Sequence, residues 1–352
     1  QIGIEFIGPK SETISLMGDK QSARDTMLKA KVPITPGSKG LVDSLRNAYD
    51  ECSLIGYPVL IKATAGGGGK GMRICYFEED LENAYNQAQA EALNDFNNKD
   101  VYIEKFIENP RHIEVQIMAD KFNNVVHLFE RECSVQRRHQ KMIEEAPVAN
   151  ISDKTKKKLY EVSLKAAKAI KYQSLGTIEF IMDKDENFYF IEMNTRAQVE
   201  HPITEMITGI DLIKEQIKLS SNQKLSYKQS DIKLNGHSIE IRINAEDPYD
   251  NFKPNAGLIT ALHFPGGNGV RVDSFIYQSY SIKPFYDSMI AKLIVHSNTR
   301  DNTISKAINS LEELDVLGIK SNVDFQLEIL NSEAFNNNNY NTSLVSKLLK
   351  EV

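Results

Sequence analysis

Two acidic residues flank a short polar segment, and their spacing predicts a metal site. Glu179 and Glu192 lie in apolar runs separated by Asp183–Asn187, an arrangement typical of a β-hairpin. If the turn is Lys184–Asn187, the two carboxylates face each other on one side of the sheet, which is destabilising unless a cation lies between them. Mg²⁺ or Mn²⁺, bound together with phosphates, suits such oxygen ligands, and Asn194 adds a carbonyl oxygen on the same face. A solvent-facing strand with unrelated acids is the alternative.

A glycine-rich segment between residues 62 and 72 is the strongest local motif. Gly66, Gly68 and Gly71 satisfy the spacing G-x-G-x-x-G. A dinucleotide-binding motif must open a helix, whereas the strand-like run Met72–Phe77 follows here. The phosphate-binding loop of nucleotide triphosphatases is also excluded, because Gly71 and Met72 stand where Lys and Ser or Thr are required.

The segment therefore predicts a glycine flap between two antiparallel strands. Its backbone N–H groups can approach phosphate oxygens closely. Lys62 and Lys70 add positive charge for anionic oxygens. A hairpin tip without a ligand is the alternative, although five glycines in six positions lose much entropy when they become ordered.

A second cluster of cations follows a predicted strand. The segment Ser134–Lys141 contains Arg137, Arg138, His139 and Lys141. In an acidic chain, this local concentration of positive charge indicates an anion site. A charged, solvated loop is at least as consistent with this segment alone.

The residues after Asn194 combine groups that bind and activate anions. Arg196 can hold a carboxylate-like anion through two parallel hydrogen bonds. Glu200 is a candidate general base. His201 is either a second base or a structural hydrogen-bonding residue before Pro202. The sequence contains neither an H-E-x-x-H motif nor a Cys/His cluster, which disfavours a catalytic zinc.

The composition limits the class of protein. The chain has 352 residues, 41% hydrophobic and 26% charged, with a net charge of −6. These are globular values for about two or three domains, and the acidic balance disfavours a general nucleic-acid binder. Short β-runs alternate with amphipathic helices, and no apolar run approaches the ~20 residues needed to span a membrane. Cys52, Cys75 and Cys133 match neither a disulfide framework nor a zinc site, which favours a reducing cytoplasm.

Several long motifs, in order along the chain, resemble those of biotin carboxylases. They are IKATAGGGGKGM, EKFIENPRHIEVQ, ERECSVQRRHQKMIEEAP, GTIEFI, FIEMNTRAQVEHPITEMITG, GHSIEIRINAEDP and YDSMIAKLIV. The resemblance implies an α+β architecture. An ATP-grasp fold of two subdomains clamps ATP between antiparallel sheets, and a C-terminal α+β subdomain follows.

The resemblance also implies how the chain divides. Because the family begins with a further α/β domain, the chain is expected to retain only the end of it. The expected parts are an N-terminal remnant at 1–7, a linker and helix at 8–34, the ATP-grasp lid at 35–106, the large ATP-grasp subdomain at 107–232 and the C-terminal subdomain at 233–352.

The reaction implied by the resemblance has two steps. ATP phosphorylates bicarbonate to carboxyphosphate, which breaks down to CO₂ and phosphate. Phosphate then removes a proton from biotin, whose enolate attacks CO₂. The implied cofactors are ATP and Mg²⁺ or Mn²⁺, with carrier-bound biotin as a substrate. The implied partners are a biotin carboxyl carrier protein, carboxyltransferase subunits and a second copy of the chain, with no nucleic acid or membrane.

The resemblance assigns a role to each matching residue. Glu200 is the base that deprotonates bicarbonate, and Arg242 holds the biotin enolate. Bicarbonate is bound by Lys141, Arg196, Gln198 and the backbone of Val199. The metal ligands are Glu179, Glu192 and Asn194. The ATP-binding residues are Lys20, Lys62, Gly66, Gly67, Gly68, Gly69, Gly71, Glu104, Lys105 (a backbone hinge), His112, Gln136, His139 and Glu179.

Three other functions remain open from the sequence. The same carboxylation can belong to a multifunctional carboxylase, such as pyruvate carboxylase, rather than to an acetyl-CoA carboxylase. Another bicarbonate-using ATP-grasp ligase, such as one that makes carbamoyl phosphate, shares the first step. A non-enzymatic nucleotide-binding module would need the base or the metal-binding acids to be missing, and Glu179, Glu192, Glu200 and Arg242 are all present.

Overall fold

A computed structural model describes residues 3–64 and 71–351. The helices are α1 Ser11–Gly18, α2 Lys20–Lys29, α3 Leu45–Ile55, α4 Leu81–Phe96, α5 Asp153–Ala169, α6 His201–Thr208, α7 Leu212–Ser220, α8 Arg300–Glu313, α9 Val323–Asn331, α10 Glu333–Asn336 and α11 Leu344–Glu351, with 3₁₀ turns at Glu78–Asp80 and Gln229–Asp231. None of the helices in the described ranges is both long enough and apolar enough to cross a membrane.

The strands are mostly antiparallel and short at the C-terminal end. They are β1 Val59–Ala63, β2 Met72–Cys75, β3 Val101–Lys105, β4 Arg111–Ala119, β5 Val125–Arg137, β6 Gln140–Ala146, β7 Ser174–Met182, β8 Phe188–Asn194, β9 His237–Asn244, β10 Glu246–Asp247, β11 Lys253–Pro254, β12 Gly257–Leu258, β13 Ala261–His263, β14 Val270–Ser274, β15 Ser281–Ile282, β16 Met289–Ser297 and β17 Asp315–Leu317.

The glycine segment joins two strands of a small sheet. The order is β2-β1-β3, and α3 and α4 pack on it around Cys52, Ile61 and Leu81. The antiparallel pairing of β1 with β2 confirms that a strand, not a helix, follows the glycines. Residues 65–70, which include Gly66–Gly69, lie outside the described residues. Gly71 has a φ of 67°, a conformation that favours glycine, and its carbonyl accepts the N–H of Ala63.

A larger antiparallel sheet presents one apolar and one polar face. Its order is β14-β16-β9-β6-β5-β4-β7-β8. In β4, the odd-numbered residues Ile113, Val115 and Ile117 are fully buried in a core that α1, α2 and α5 complete. The even-numbered residues, beginning with His112 and Glu114, therefore project from the opposite face.

The C-terminal part continues the same sheet. Strands β9, β14 and β16 extend it, and α8 and α9 pack on them around Ile241, Leu293 and Phe325. The predicted boundary at 232/233 precedes β9, so the sheet crosses it. The five-part division of the chain stays a prediction.

Two predictions of local structure need correction. The β7–β8 hairpin pairs Glu179 with Glu192 as predicted, but the register shifts after Glu179, so that Phe180 pairs with Phe190. The cationic segment is not a loop. It forms the end of β5, a two-residue turn and the start of β6, because Arg138 and His139 adopt the positive φ angles of a tight hairpin turn.

A close contact at Gly176 in β7 generates a prediction of stability. A Cβ atom at this position would lie 2.5 Å from the hydroxyl of buried Tyr172, so Gly176→Ala should lower the free energy of unfolding by about 1–3 kcal/mol. Gly18→Ala is the matched control, because a Cβ there meets nothing within 4 Å. Urea denaturation measures both variants, and equal stabilities for the two would contradict the packing described.

Candidate active site

A lysine side chain lies at the centre of the polar face of the large sheet. The Lys141 ammonium, at the start of β6, lies 2.6 Å from Glu114 Oε2, 2.6 Å from Glu200 Oε1 and 3.1 Å from Glu179 Oε1. Burial works in the opposite direction, but Cys133 and the carboxylates raise the pKa of Lys141 well above its ordinary value. The ammonium is therefore charged and holds three acids from different parts of the chain.

The second oxygen of Glu200 faces an arginine. Arg242 Nη2 in β9 lies 3.2 Å from Glu200 Oε2, and Arg242 Nε donates to Glu144 Oε1 at 2.7 Å. Glu144 and Glu200 raise the pKa of Arg242 against the effect of burial. Glu200 thus lies between two fixed cations, next to the N-terminus of α6.

The predicted metal ligands are adjacent. Glu179 Oε1 accepts 2.8 Å hydrogen bonds from Asn194 and Gln198, and its Oε2 lies 2.9 Å from His112 Nε2. Despite burial, His112 and Lys141 lower the pKa of Glu179. Although the Glu192 side chain is exposed, partial desolvation and the Glu179 carboxylate raise its pKa.

This donor set fits a hard divalent cation. Two carboxylates that face each other across the hairpin gain from a positive charge between them. Asn194 presents its NH₂ group, not the predicted carbonyl oxygen, because carboxylates accept hydrogen bonds; a half-turn of the amide brings its oxygen to the same place.

The small sheet contributes an ion-paired glutamate beside the glycine segment. Glu104 lies 2.5 Å from Lys62 Nζ and 2.7 Å from Arg24 Nη1. The Lys105 N–H donates to the Pro36 carbonyl at 2.7 Å. The hinge role implied for Lys105 would therefore need a backbone group other than this N–H.

Lys20 lies near these groups. Burial and the Lys62 ammonium lower the pKa of Lys20, against the effects of Glu192 and Glu104. Lys20 therefore lies between residues of the small sheet and the predicted metal ligands of the large sheet.

The structure does not bring all predicted anion-binding residues together. Arg137 stacks on Phe252 and bonds to Asn251, whereas Lys141 lies among the glutamates. His139 is exposed at the β5–β6 turn. Arg196 is also exposed, and its guanidinium donates a hydrogen bond to the Ala197 carbonyl. The four cations between 137 and 141 therefore do not form one site.

Three further predicted groups have defined partners. Gln136 donates to the Cys133 carbonyl, and its Nε2 lies 3.4 Å from His112 Nδ1. The Val199 carbonyl accepts from Lys292 at 2.8 Å. His201 bonds to the Gln198 carbonyl, and burial lowers its pKa, which favours its structural interpretation.

Sequence reasoning missed a fully buried arginine beneath the site. Arg131 in β5 pairs with Glu114 in register and donates to five side chains, namely Glu114, Gln116, Thr177, Gln198 and Thr204. Arg131 and Lys141 lower the pKa of Glu114 to about 2, although burial acts against them. The sequence does contain a signal for a buried polar network beneath the site. Polar residues occupy every second position of an otherwise apolar strand, as at 112, 114 and 116.

The fold and the site define an ATP-grasp enzyme. Residues 19–228 match the family described as carbamoyl-phosphate synthase L chain, ATP binding domain, and residues 240–347 match the biotin carboxylase C-terminal domain. A biotin carboxylase of Bacillus subtilis is 49% identical over 346 residues, covering 98% of this chain and 77% of that protein. The chain therefore belongs to the biotin carboxylase family, whose members are ATP-dependent ligases that carboxylate biotin.

Two other similarities support this membership. A chloroplastic biotin carboxylase of Populus trichocarpa is 49% identical over 350 residues, covering 99% of this chain and 66% of that protein. The biotin carboxylase domain dimer of the Hydrogenobacter thermophilus 2-oxoglutarate carboxylase, solved with MgADP, ADP and bicarbonate, is 46% identical with a TM-score of 0.91. The similarity covers 98% of this chain and 76% of that one. The chain thus spans about two thirds to three quarters of these relatives.

The buried Arg131 generates a prediction about the stability of the site. Arg131→Met leaves Glu114 without one of its two cations, and removal of one partner of a buried pair should cost about 3–5 kcal/mol of unfolding free energy. Arg73→Met is the matched control, because the Arg73–Glu91 pair is one-third exposed and should contribute less than about 1 kcal/mol. Denaturant unfolding compares them, and a small loss at Arg131 would contradict the proposed support.

Proposed function

We propose that the protein containing this chain uses ATP and bicarbonate to carboxylate carrier-bound biotin, as the first half-reaction of an acetyl-CoA carboxylase. The observation that carries the proposal is the position of Glu200 between Lys141 and Arg242. The two cations balance the charge of the buried carboxylate that serves as the base, and they also give anionic substrates a binding partner beside it. Family membership supports the same reaction.

Bicarbonate binds next to Glu200 in this proposal. Lys141, Gln198 and the Val199 N–H fix it, and the exposed Arg196 turns from the Ala197 carbonyl to complete the site. Glu200 removes the proton, which makes the bound anion a better nucleophile. The Val199 group that binds bicarbonate is the N–H and not the carbonyl, because Lys292 already donates to the carbonyl.

ATP lies between the small sheet and the large one. Lys20, Lys62, His112, Gln136 and His139 contact the nucleotide, Glu104 and Lys105 lie near its base, and Gly66–Gly69 with Gly71 cover the phosphates. Phosphoryl transfer depends on positioning and charge neutralisation, which these residues supply. The positions of Lys20, His112 and Gln136 close to Glu179 and Glu192 support this arrangement.

Glu179, Glu192 and Asn194 hold Mg²⁺ or Mn²⁺ in this proposal. The bound cation neutralises phosphate charge during transfer. Gln198 contacts one oxygen of Glu179 and His112 contacts the other, so that the Glu179 carboxylate is held in one orientation.

Biotin occupies the pocket beside Arg242. A shallow depression in the surface is lined by both Arg242 and Lys141, with Met142, Asn244 and Phe252 among its other walls. The Arg242 guanidinium stabilises the enolate oxygen of biotin, because a fixed cation in a buried site interacts strongly with developing negative charge.

The partners of the whole protein follow from this function. They are a biotin carboxyl carrier protein, carboxyltransferase subunits and a second copy of the chain. The solved relative that is named a dimer supports the last of these. We infer a cytoplasmic location from three unpaired, buried cysteines. That relative belongs to a 2-oxoglutarate carboxylase, so a different final acceptor is the main alternative.

Biotin-dependent ATP cleavage tests the function. ADP release in the presence of bicarbonate and Mg²⁺ should rise with biotin in the natural protein. Glu200→Gln should lower the rate by about 10²–10⁴-fold, as expected for the loss of a general base. Glu313→Gln, an exposed change in α8, should leave it unchanged.

The same assay separates the alternatives. If ADP release needs bicarbonate but does not respond to biotin, another ATP-grasp ligase becomes the better interpretation. The match to the carbamoyl-phosphate synthase domain makes such a ligase the second candidate. If Glu200→Gln behaves like Glu313→Gln, Glu200 is not the base.

A further inference from the structure

Two glutamates lie against each other under helix α6, away from the proposed substrates. Glu240 in β9 is directly opposite Glu144 in β6, and both are 0% exposed. On its other side, Glu240 faces Ile294 in β16, which clusters with Ile203 and Ile207 of α6. Side chains directly opposite on antiparallel strands have Cβ atoms about 5 Å apart, close enough for two carboxyl groups to share a hydrogen bond.

Of the four carboxyl oxygens of this pair, three have no hydrogen-bond partner among the described residues. Within residues 3–64 and 71–351, neither oxygen of Glu240 has a hydrogen-bond partner, and neither has Glu144 Oε2. Glu144 Oε1 is held by Arg242. Buried polar groups are almost always satisfied, and an unpaired buried carboxylate is especially costly.

The charged groups around Glu240 do not compensate for its ionisation. Among the described residues, the cation that pairs with Glu240 is Lys292 in β16, whose Nζ lies 4.0 Å from Glu240 Oε2 and donates to the Val199 carbonyl. Burial, Glu144 and Glu200 raise the pKa of Glu240 well above its ordinary value, against the opposing effects of Lys292 and Arg242.

The ionisable groups of α6 are engaged elsewhere. His201 bonds to the Gln198 carbonyl, and Glu205 pairs with Arg271 at 2.7 Å. Neither supplies a counter-charge for Glu240.

We propose that Glu240 is protonated and donates its O–H to Glu144 Oε2, which makes it a positioning residue for Arg242. One hydrogen bond then satisfies an oxygen on each residue. It also fixes the Glu144 carboxylate so that its other oxygen holds the Arg242 guanidinium, which in turn reaches Glu200 at 3.2 Å. The role of Arg242 toward biotin rests on the proposed function, whereas the protonation of Glu240 does not.

If Glu240 is protonated in the folded protein, the free energy of unfolding must depend on pH in a definite direction. Because its folded pKa is raised, the folded state binds a proton that the unfolded state has released at neutral pH, and stability falls as pH rises above the unfolded value. Glu240→Gln keeps a hydrogen-bond donor for Glu144 but cannot ionise. Relative to the natural protein, this variant should gain stability progressively from pH 5 to pH 8.

Thermal unfolding across this pH range tests the protonation directly. Glu161→Gln, an exposed change on α5, is the control and should run parallel to the natural protein. If Glu240→Gln also runs parallel, or loses stability as pH rises, then Glu240 is not protonated and the proposal is overturned. This result does not depend on what the enzyme carboxylates.

Biotin-dependent ADP release tests the positioning role. Glu240→Gln should keep turnover within about threefold of the natural protein, whereas Glu240→Leu, which leaves Glu144 Oε2 unpaired, should lose about tenfold or more. Both variants should keep bicarbonate-dependent ATP cleavage without biotin. Equal biotin stimulation in the Leu and Gln variants would overturn the positioning role. Absence of biotin stimulation in the natural protein would instead refute the proposed function and, with it, the role toward biotin.

Discussion

The position of the Lys141 ammonium among three buried carboxylates is the constraint on which the site depends. Glu114, Glu179 and Glu200 come from β4, β7 and the segment before α6, and like charges so close together destabilise a fold unless a cation neutralises them. Strands β6, β5, β4 and β7 are neighbours in the large sheet, and their antiparallel order brings these side chains to one face. The sheet order is therefore what brings these charged side chains together.

Further cations extend this arrangement in two directions. Arg131 supports Glu114 and Gln198 from beneath, and Arg242 joins Glu200 to Glu144. Each of the carboxylates of Glu114, Glu144, Glu179 and Glu200 thus has at least one fixed donor, an arrangement that limits reorganisation when a nearby charge changes. The cost is the burial of many charges, and the site is sensitive to the loss of any one partner.

Local sequence signals predicted part of this structure well. The polar segment between β7 and β8 predicted the hairpin, and the strand after the glycines excluded a dinucleotide-binding helix. The Glu179–Glu192 pairing also depends on the register shift after Glu179, which no sequence signal indicated. The contact between Arg242 and Glu144 was not predictable from spacing, because it joins residues 98 positions apart through the pairing of β6 with β9. The hairpin turn at Arg138 and His139 was missed because it lacks the Asn or Gly that usually marks positive φ angles.

The most direct test of the account is a crystal structure with ADP, Mn²⁺ and bicarbonate, in which the anomalous signal of manganese locates the metal. The account predicts manganese between Glu179 and Glu192, and bicarbonate within hydrogen-bonding distance of Lys141 and Glu200. Manganese bound instead within the group formed by Glu114, Cys133 and Glu200 would contradict it, because Lys141 would then no longer neutralise these acids. Bicarbonate bound away from Glu200 would contradict the assignment of the base.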